Sequence, residues 1–375
     1  MTTTLPKSCD LLVIGGGVVG LSVAYELASR QSDIDIVVVD RQTPAQEASW
    51  AGAGILPPGS WYDDHPALEQ LAAISLRLNH EWSSRLADST GFDNQLTHIG
   101  AVHLAATPGQ QERLEAKFDH WQRLDIAVKQ IDLDQIRRIE PNLHIEGVLA
   151  AYHVPGEAKL DNRWHCRGLA AACKAFGVRI CHPVEVRQLN RSGDRVQQVH
   201  TTAGTIEVRK IVLAAGAWSP AIAEPLDLRL SVRPMRGQML SFGPFEKPLT
   251  WGIIHRGDQY IVPKRGRLLV GSTVEDVGFD KSTTPDAANS LAEFAHQVMP
   301  KLQQYPIADH WAGLRPASAD GLPYIGRVPG VHNAFVATGH FRSGLQMASG
   351  TAMALADLIT GASPRFSLEP FRLDR

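Results

Sequence analysis

The chain opens on an apolar run (Leu11, Leu12, Val13, Ile14) that stops at three consecutive glycines. A stretch with helical spacing follows, then a second apolar run that ends in Asp40. Uninterrupted apolar runs suit strands buried on both faces. Farther along, apolar residues at helical spacing predict helices over Leu68–Leu86, Gln110–Trp121, Asp134–Ile139, Arg163–Phe176, Pro285–Met299 and Leu345–Ile359. The last is rich in alanine and apolar on most faces, which predicts a buried helix. Strands are expected over His98–Leu104, Gly147–His153, Val178–Cys181, Val196–Thr201, Thr205–Arg209 and Lys210–Leu213. Gln238–Phe242, Tyr260–Pro263 and Arg267–Ser272 alternate as antiparallel strands do, and His310–Pro316 and Asn333–Thr338 complete the set. Residues 41–59, with Pro44 and many small residues, read as a loop and a close-packed segment.

This order predicts a mixed α/β protein. A two-dinucleotide-type Rossmann domain would be assembled from residues 1–85, 145–230 and 305–375. Residues 86–144 and 231–304 would form an inserted antiparallel-sheet domain that covers the substrate.

With 375 residues the chain can bury two or three cores, and a net charge of −2 with both signs interspersed argues against nucleic acid or an acidic membrane as partner. Cys9, Cys166, Cys173 and Cys181 show no C-x-x-C spacing, as expected of reduced, mostly buried thiols. Leu11–Leu21 resembles a signal-peptide core, but only Lys7 is basic ahead of it and the glycines sit inside it. No apolar stretch is long enough to cross a membrane. The expected location is the cytoplasm.

Candidate chemistry begins at the first glycine turn. Gly15, Gly17 and Gly20 form G-x-G-x-x-G between a strand and a helix, with Asp40 twenty positions beyond Gly20. Gly15 allows the tight turn, Gly17 lets the backbone approach a pyrophosphate, and Gly20 lets helix and strand pack closely. Asp40 is placed to accept from an adenosine ribose. The motif leaves NAD and FAD open. Two later segments favour FAD. Ile211–Pro220 is a strand that ends in small residues, including Ala215 and Gly216. Ala334–Ile359 is a strand, a loop over Gly339–Gly344 and a long helix, whose N-terminus suits the negative charge of a reduced flavin.

Arg315 ends a short apolar strand between Leu314 and Pro316. A guanidinium there needs an anion: a substrate carboxylate held by both arms of its fork, or an internal acid such as Asp320. Tyr260 either lends its hydroxyl to the same carboxylate or is a packed core tyrosine. Arg342 and His340 in the last loop are further candidates, His340 more simply as a loop histidine satisfied by the backbone. No G-x-S-x-G, Walker A, H-E-x-x-H or clustered Cys/His metal motif occurs.

With these residues in place, the chain resembles the D-amino-acid oxidase superfamily of flavoproteins, most of all its glycine oxidase branch of the thiamine-biosynthesis type. The resemblance is nearly full length. It runs through LLVIGGGVVGLSVAYELA, ASWAGAGIL, VLAAGAWS, RPMRGQML, YIVPKRGRLLVGST, WAGLRPASADGLPYIGR and ATGHFRSG to the closing FRLDR. It implies a noncovalent FAD, and with it a set of contacts. These are Val18 and Val19 in the glycine loop, Asp40 and Arg41 at the ribose, and Ala48, Ser49, Ala53, Gly54 and Ile55 beside the phosphates and ring. Val184 would lie near the adenine, and His340, Phe341, Arg342, Ser343, Gly344, Leu345 and Gln346 at the isoalloxazine. Arg315 would hold the substrate carboxylate, Tyr260 would assist, and Arg342 would border the pocket.

The activity implied is oxidative deamination of glycine, sarcosine or a small D-amino acid, with hydride passing from the α-carbon to flavin N5. Oxygen (O2) would be the acceptor, giving imine and hydrogen peroxide, and a thiazole-forming pathway would use the imine. A homo-oligomer is in keeping with the family. Ile55 and Val274 stand where methionines are usual, Trp50 where a small residue is usual, Asp258 where histidine is common and Ser343 where asparagine is. Two other readings stay open: a D-amino-acid dehydrogenase that hands electrons to a quinone, and a flavin-binding protein with altered catalysis.

Overall fold

The computed structural model describes residues 4–60 and 65–375. Its first sheet is built on the strand Ser8–Ile14, paired in parallel with Gly204–Leu213 on one side and Ile36–Val39 on the other. Arg179–Cys181 extends it beyond Ile36–Val39. Leu11 and Val13 face one hydrophobic core, and Leu12 and Ile14 the other. That is why the run carries no polar alternation.

Helices cover the first of these cores. Val18–Arg30, Asn162–Ala175, Pro66–Thr90 and Gly344–Thr360 pack together there, around Tyr25, Trp82 and Met353. Fully burying a side chain the size of Leu or Phe contributes about 1.5–3 kcal/mol, so this cluster dominates the dinucleotide fold. Pro66–Thr90 begins on a proline and ends at Gly91 in the left-handed conformation (φ 73°). Arg30 ties the first helix to the last, with Glu26 at 2.5 Å and Asp357 at 2.6 Å.

Gly204–Leu213, expected as two strands, is one. Its first half bonds to Arg195–Thr201 and its second half to Ala334–Thr338, so the pattern changes from half-exposed to buried within one strand. Val186–Ser192, Ile253–Arg256 and Tyr324–Arg327 are strands with little alternation to announce them. Inside the expected loop, Ala48–Ala51 forms one helical turn.

The second sheet runs in the order Ile307–Ser318, Val232–Phe242, Arg267–Gly271, Gln259–Lys264, Ile253–Arg256, Ala101–Ala105, Ala150–Val154 and Lys129–Gln130. It is antiparallel except where Ile253–Arg256 runs parallel to Ala101–Ala105 and so joins segments 86–144 and 231–304. Ala150–Val154 and Ile307–Ser318 lie outside those two segments but belong to this sheet. All four cysteines are buried and unpaired. Among the described residues, no helix is long and apolar enough to cross a membrane.

His165 lies inside the Asn162–Ala175 helix layer, its Nδ1 2.9 Å from the Asn94 amide. Burial pushes its pKa down from 6.5 to about 4. The unfolded chain therefore takes up a proton before the folded one does. The neutral ring costs nothing above pH 6.5, and stability falls as pH drops from there toward 4. The thermal midpoint is expected to fall between about pH 7 and 5, and to fall less in His165→Gln. Equal falls in both proteins would acquit this histidine.

Candidate functional site

The glycine turn is shaped by contacts that exclude a side chain. Gly15 has φ +108°, and a Cβ there would lie 2.5 Å from the Ala214 carbonyl oxygen. A Cβ on Gly20 would lie 1.9 Å from the Gly15 carbonyl oxygen. The first helix thus starts hard against the strand end. Its N-cap, Gly17, offers no side-chain cap, so the first-turn N–H groups beyond Val18 are left for an anion. Val18 N–H donates to Ser49 Oγ at 2.9 Å, which brings Ala48 and Ser49 to the turn. Asn162 fixes that segment from below, donating to the carbonyls of Ser49 (2.6 Å) and Trp50 (3.1 Å).

Asp40 accepts from Gly16 N–H (2.8 Å) and Gln42 N–H (2.9 Å), while burial raises its pKa against these two bonds. Beside it the Arg41 guanidinium lies 3.7 Å over the Trp218 ring and pairs with Glu47 at 2.7 Å. The second small-residue turn closes next to the first: Ala214 N–H donates to Ile14 O, and Thr338 Oγ1 donates to Gly216 O.

A cavity of about 770 Å³ runs past these groups, from Val184 and Val186 along the glycine turn to His340, Phe341, Arg342, Gly344 and Leu345. Gly15, Gly17, Val18, Val19, Asp40, Arg41, Ala48, Ser49, Ala53, Gly54, Ile55, Ala215 and Gly216 line it. Three expected cofactor contacts do not. Gly20 is consumed by helix–strand packing. Gln346 turns its amide onto the carbonyls of Pro57 (3.0 Å) and Gly59 (2.9 Å). Ser343 is buried at the N-cap of the last helix and makes no side-chain cap. Ser343 Oγ and Arg342 Nε are buried without a hydrogen-bond partner among the described residues.

The far end of the cavity is the second sheet. A single cross-strand row there reads Trp311, Met239, Gly271, Tyr260, His255, His103 and Tyr152. Directly paired residues share a face. Met239, Tyr260, His255 and His103 line the cavity from it. Arg315 comes from the neighbouring strand and lies across Gly237, where a Cβ would be 2.0 Å from its Nη1. Its guanidinium donates to Thr273 O at 3.1 Å and Ser272 Oγ at 2.7 Å. Asp320, the acid weighed against a substrate for Arg315, takes Arg375 at 2.7 Å instead. Tyr260 lies with its hydroxyl 3.3 Å from Met239 Sδ and is part of the cavity wall. His340 is held by Thr351 at 3.0 Å rather than by backbone, and burial lowers its pKa to about 4, so its ring is neutral. Arg342 pairs with Asp258 at 3.6 Å at the cavity edge.

Of the unusual positions, Ile55 and Asp258 line the cavity and Val274 and Trp50 do not. Trp50 points away, edge-on to Trp311 and beneath Arg163, whose guanidinium is 3.6 Å from its ring centre.

One cluster has no counterpart among the sequence motifs. Glu157 is wholly buried, with one oxygen 3.0 Å from His103 Nε2 and the other 2.7 Å from His255 Nε2. The two imidazoles stack 4.2 Å apart, and the donor atoms of all three residues lie within 4.8 Å of one another. Their separations of 54 and 98 residues leave no local motif to find.

The cavity suits FAD. Two uncapped helix N-termini, at Val18 and Gly344, open onto it. One fits a pyrophosphate and the other the anionic ring of reduced flavin. Arg342 adds a buried donor at the second.

Residues 10–358 match the model of the family described as FAD dependent oxidoreductase. The chain is 36% identical over 363 residues to a glycine oxidase of Pseudomonas aeruginosa, covering 96% of this chain and 97% of that one. It is 34% identical over 355 residues to the bifunctional protein ThiO/ThiG of a Nostoc species, covering 93% of this chain and 52% of that protein. The crystal structure of glycine oxidase from Geobacillus kaustophilus superposes with a TM-score of 0.94 at 30% identity, covering 99% of each chain.

Proposed function

The chain belongs to the FAD dependent oxidoreductase family, and from that premise we propose that it oxidises glycine, sarcosine or a small D-amino acid to the imine, with oxygen as the electron acceptor. It is an FAD-dependent amino-acid oxidase in the line of the glycine oxidases. FAD, when bound, supplies the two-electron acceptor that no side chain offers.

The observation that carries the substrate reading is Arg315, whose guanidinium lies over Gly237 in the cavity beside Tyr260 and Ser272. Its fork suits a carboxylate. Ile55 and Leu345 line the same cavity as Arg315. Tyr260 limits how the carboxylate lies. Positioning of this kind supplies much of the rate. The first helix turn, Ser49 and Asp40 hold the dinucleotide end, and Arg342 with Leu345 borders the ring end. The second sheet, which takes in Ala150–Val154 and Ile307–Ser318 besides strands of 86–144 and 231–304, supplies the cover. The match to ThiO/ThiG supports a place for the imine in thiazole formation.

Adding amines anaerobically to the holoenzyme tests this directly. Glycine, sarcosine and small D-amino acids are expected to bleach the yellow flavin, and air to restore it with release of peroxide. If every amine leaves the flavin yellow, the oxidase reading is wrong. Bleaching without peroxide on aeration would replace oxygen by another acceptor.

A further inference from the structure

The turn Ala48–Ala51 lines the dinucleotide end of the cavity, and a single helical turn has little stability of its own. Its carbonyls are gripped from outside. Asn162 donates to Ser49 O and Trp50 O, Arg163 to Trp50 O at 3.3 Å, and Trp311 Nε1 to Ala51 O at 3.0 Å. With the carbonyls held, Ser49 Oγ meets Val18 N–H and the turn stays against the cavity.

Asn162 is buried, and it serves the turn in only one orientation of its amide. Ser49 O and Trp50 O accept, so the NH2 group must face them and Oδ1 must face away. On that other side stands Lys264, whose ammonium donates to Asn162 Oδ1. An ammonium has three donors and no acceptor, so it selects the oxygen and rejects the nitrogen. The Lys264 side chain is only 12% exposed, with Asp161 at 3.8 Å as its counter-ion. Burial pushes its pKa down to about 8, with Arg163, Lys159 and Arg265 acting the same way and Asp161 the other. The ammonium is thus charged at pH 7 but kept out of water, where a lysine that only covered surface would place it.

Lys264 reaches this point from the second sheet. It ends the strand Gln259–Lys264, and Tyr260, Val262 and Lys264 alternate onto one face of it. That face presents the chamber wall at Tyr260 and meets the dinucleotide layer at Lys264. Lys159 ties the same corner by donating to Pro263 O.

With FAD seated along the glycine turn, we propose that Lys264 is a positioning residue for the cofactor. It orients the Asn162 amide, and the amide holds the Ala48–Ala51 turn against the first helix, where the FAD phosphates lie. The inference rests on FAD binding and not on which amine is oxidised.

Release of FAD from the full-length holoenzyme on dilution, read as rising flavin fluorescence, tests the proposal. Lys264→Met is expected to speed release by about tenfold or more. Asn162→Ala is expected to speed it at least as much. The double variant is expected to match Asn162→Ala alone, because the lysine acts only through the amide. Lys264→Arg keeps a cation that can only donate, and is expected to hold release near the wild-type rate. Variants that purify without FAD are reloaded before dilution. Should Lys264→Met not fold, Lys264→Gln replaces it, since its amide can offer Asn162 either end. Unchanged release in the Met variant would overturn the proposal, as would additive effects in the double variant. A lower thermal midpoint without faster release would mark a mere tie between the sheets and overturn it too. These rates do not depend on any amine bleaching the flavin, so this inference and the oxidase reading fail separately.

Discussion

Arg315→Ala is expected to raise the Michaelis constant for glycine or sarcosine by at least about thirtyfold, with the bound-flavin spectrum nearly unchanged. Removing one partner of a buried, hydrogen-bonded charge pair costs about 2–5 kcal/mol, and each 1.4 kcal/mol or so is a factor of ten. The side chain is held by Thr273 O and Ser272 Oγ, away from the glycine turn and from Asp40, so its loss leaves the dinucleotide end intact. A companion variant separates the charge from its placement. Gly237→Ala keeps Arg315 but adds a methyl that would stand 2.0 Å from its Nη1, so the guanidinium must move. It is expected to reproduce most of the loss. Steady-state kinetics with peroxide detection measures both. An unchanged constant in Arg315→Ala would remove this residue from the carboxylate role.

Arg315 was legible in the sequence because an arginine flanked by Leu314 and Pro316 at a strand end needs an anion. The glycine turn was legible because its constraints are local: strand, turn, helix and acid fall within one stretch. What the sequence hid is what the fold assembles from afar. His255 sits on the short strand Ile253–Arg256, which shows no alternation. Its meaning depends on Glu157, in the turn after Ala150–Val154. Side-chain direction was hidden too. Trp50 adjoins a cavity-lining segment, yet its ring turns toward Trp311. Gln346 heads the last helix, yet its amide is spent on Pro57 and Gly59. A loop motif fixes where the backbone goes, while packing decides which side chains reach the cavity.

That distinction makes the glycine turn itself testable, since its glycines have different jobs. A Cβ on Gly20 would meet the Gly15 carbonyl oxygen at 1.9 Å, backbone against backbone, so Gly20→Ala must push the first helix off its strand. Among the described residues, a Cβ on Gly17 would meet only Ser49 Oγ, at 3.4 Å, an ordinary contact that leaves the fold alone. Its methyl would stand beside the open N–H groups of the first turn, where a pyrophosphate has to approach. Gly17→Ala is therefore expected to purify folded but with FAD content cut at least tenfold. Gly20→Ala is expected to lose both FAD and several degrees of thermal midpoint. Gly326 is the control: among the described residues nothing lies within 4 Å of its Cβ position, so Gly326→Ala is expected to keep full FAD. The FAD-to-protein absorbance ratio and a melting curve on each variant make the comparison. Stoichiometric FAD in Gly17→Ala would mean that the pyrophosphate does not lie against this turn. The uncapped helix end would then lose its place in the site, however well the pattern of glycines reads.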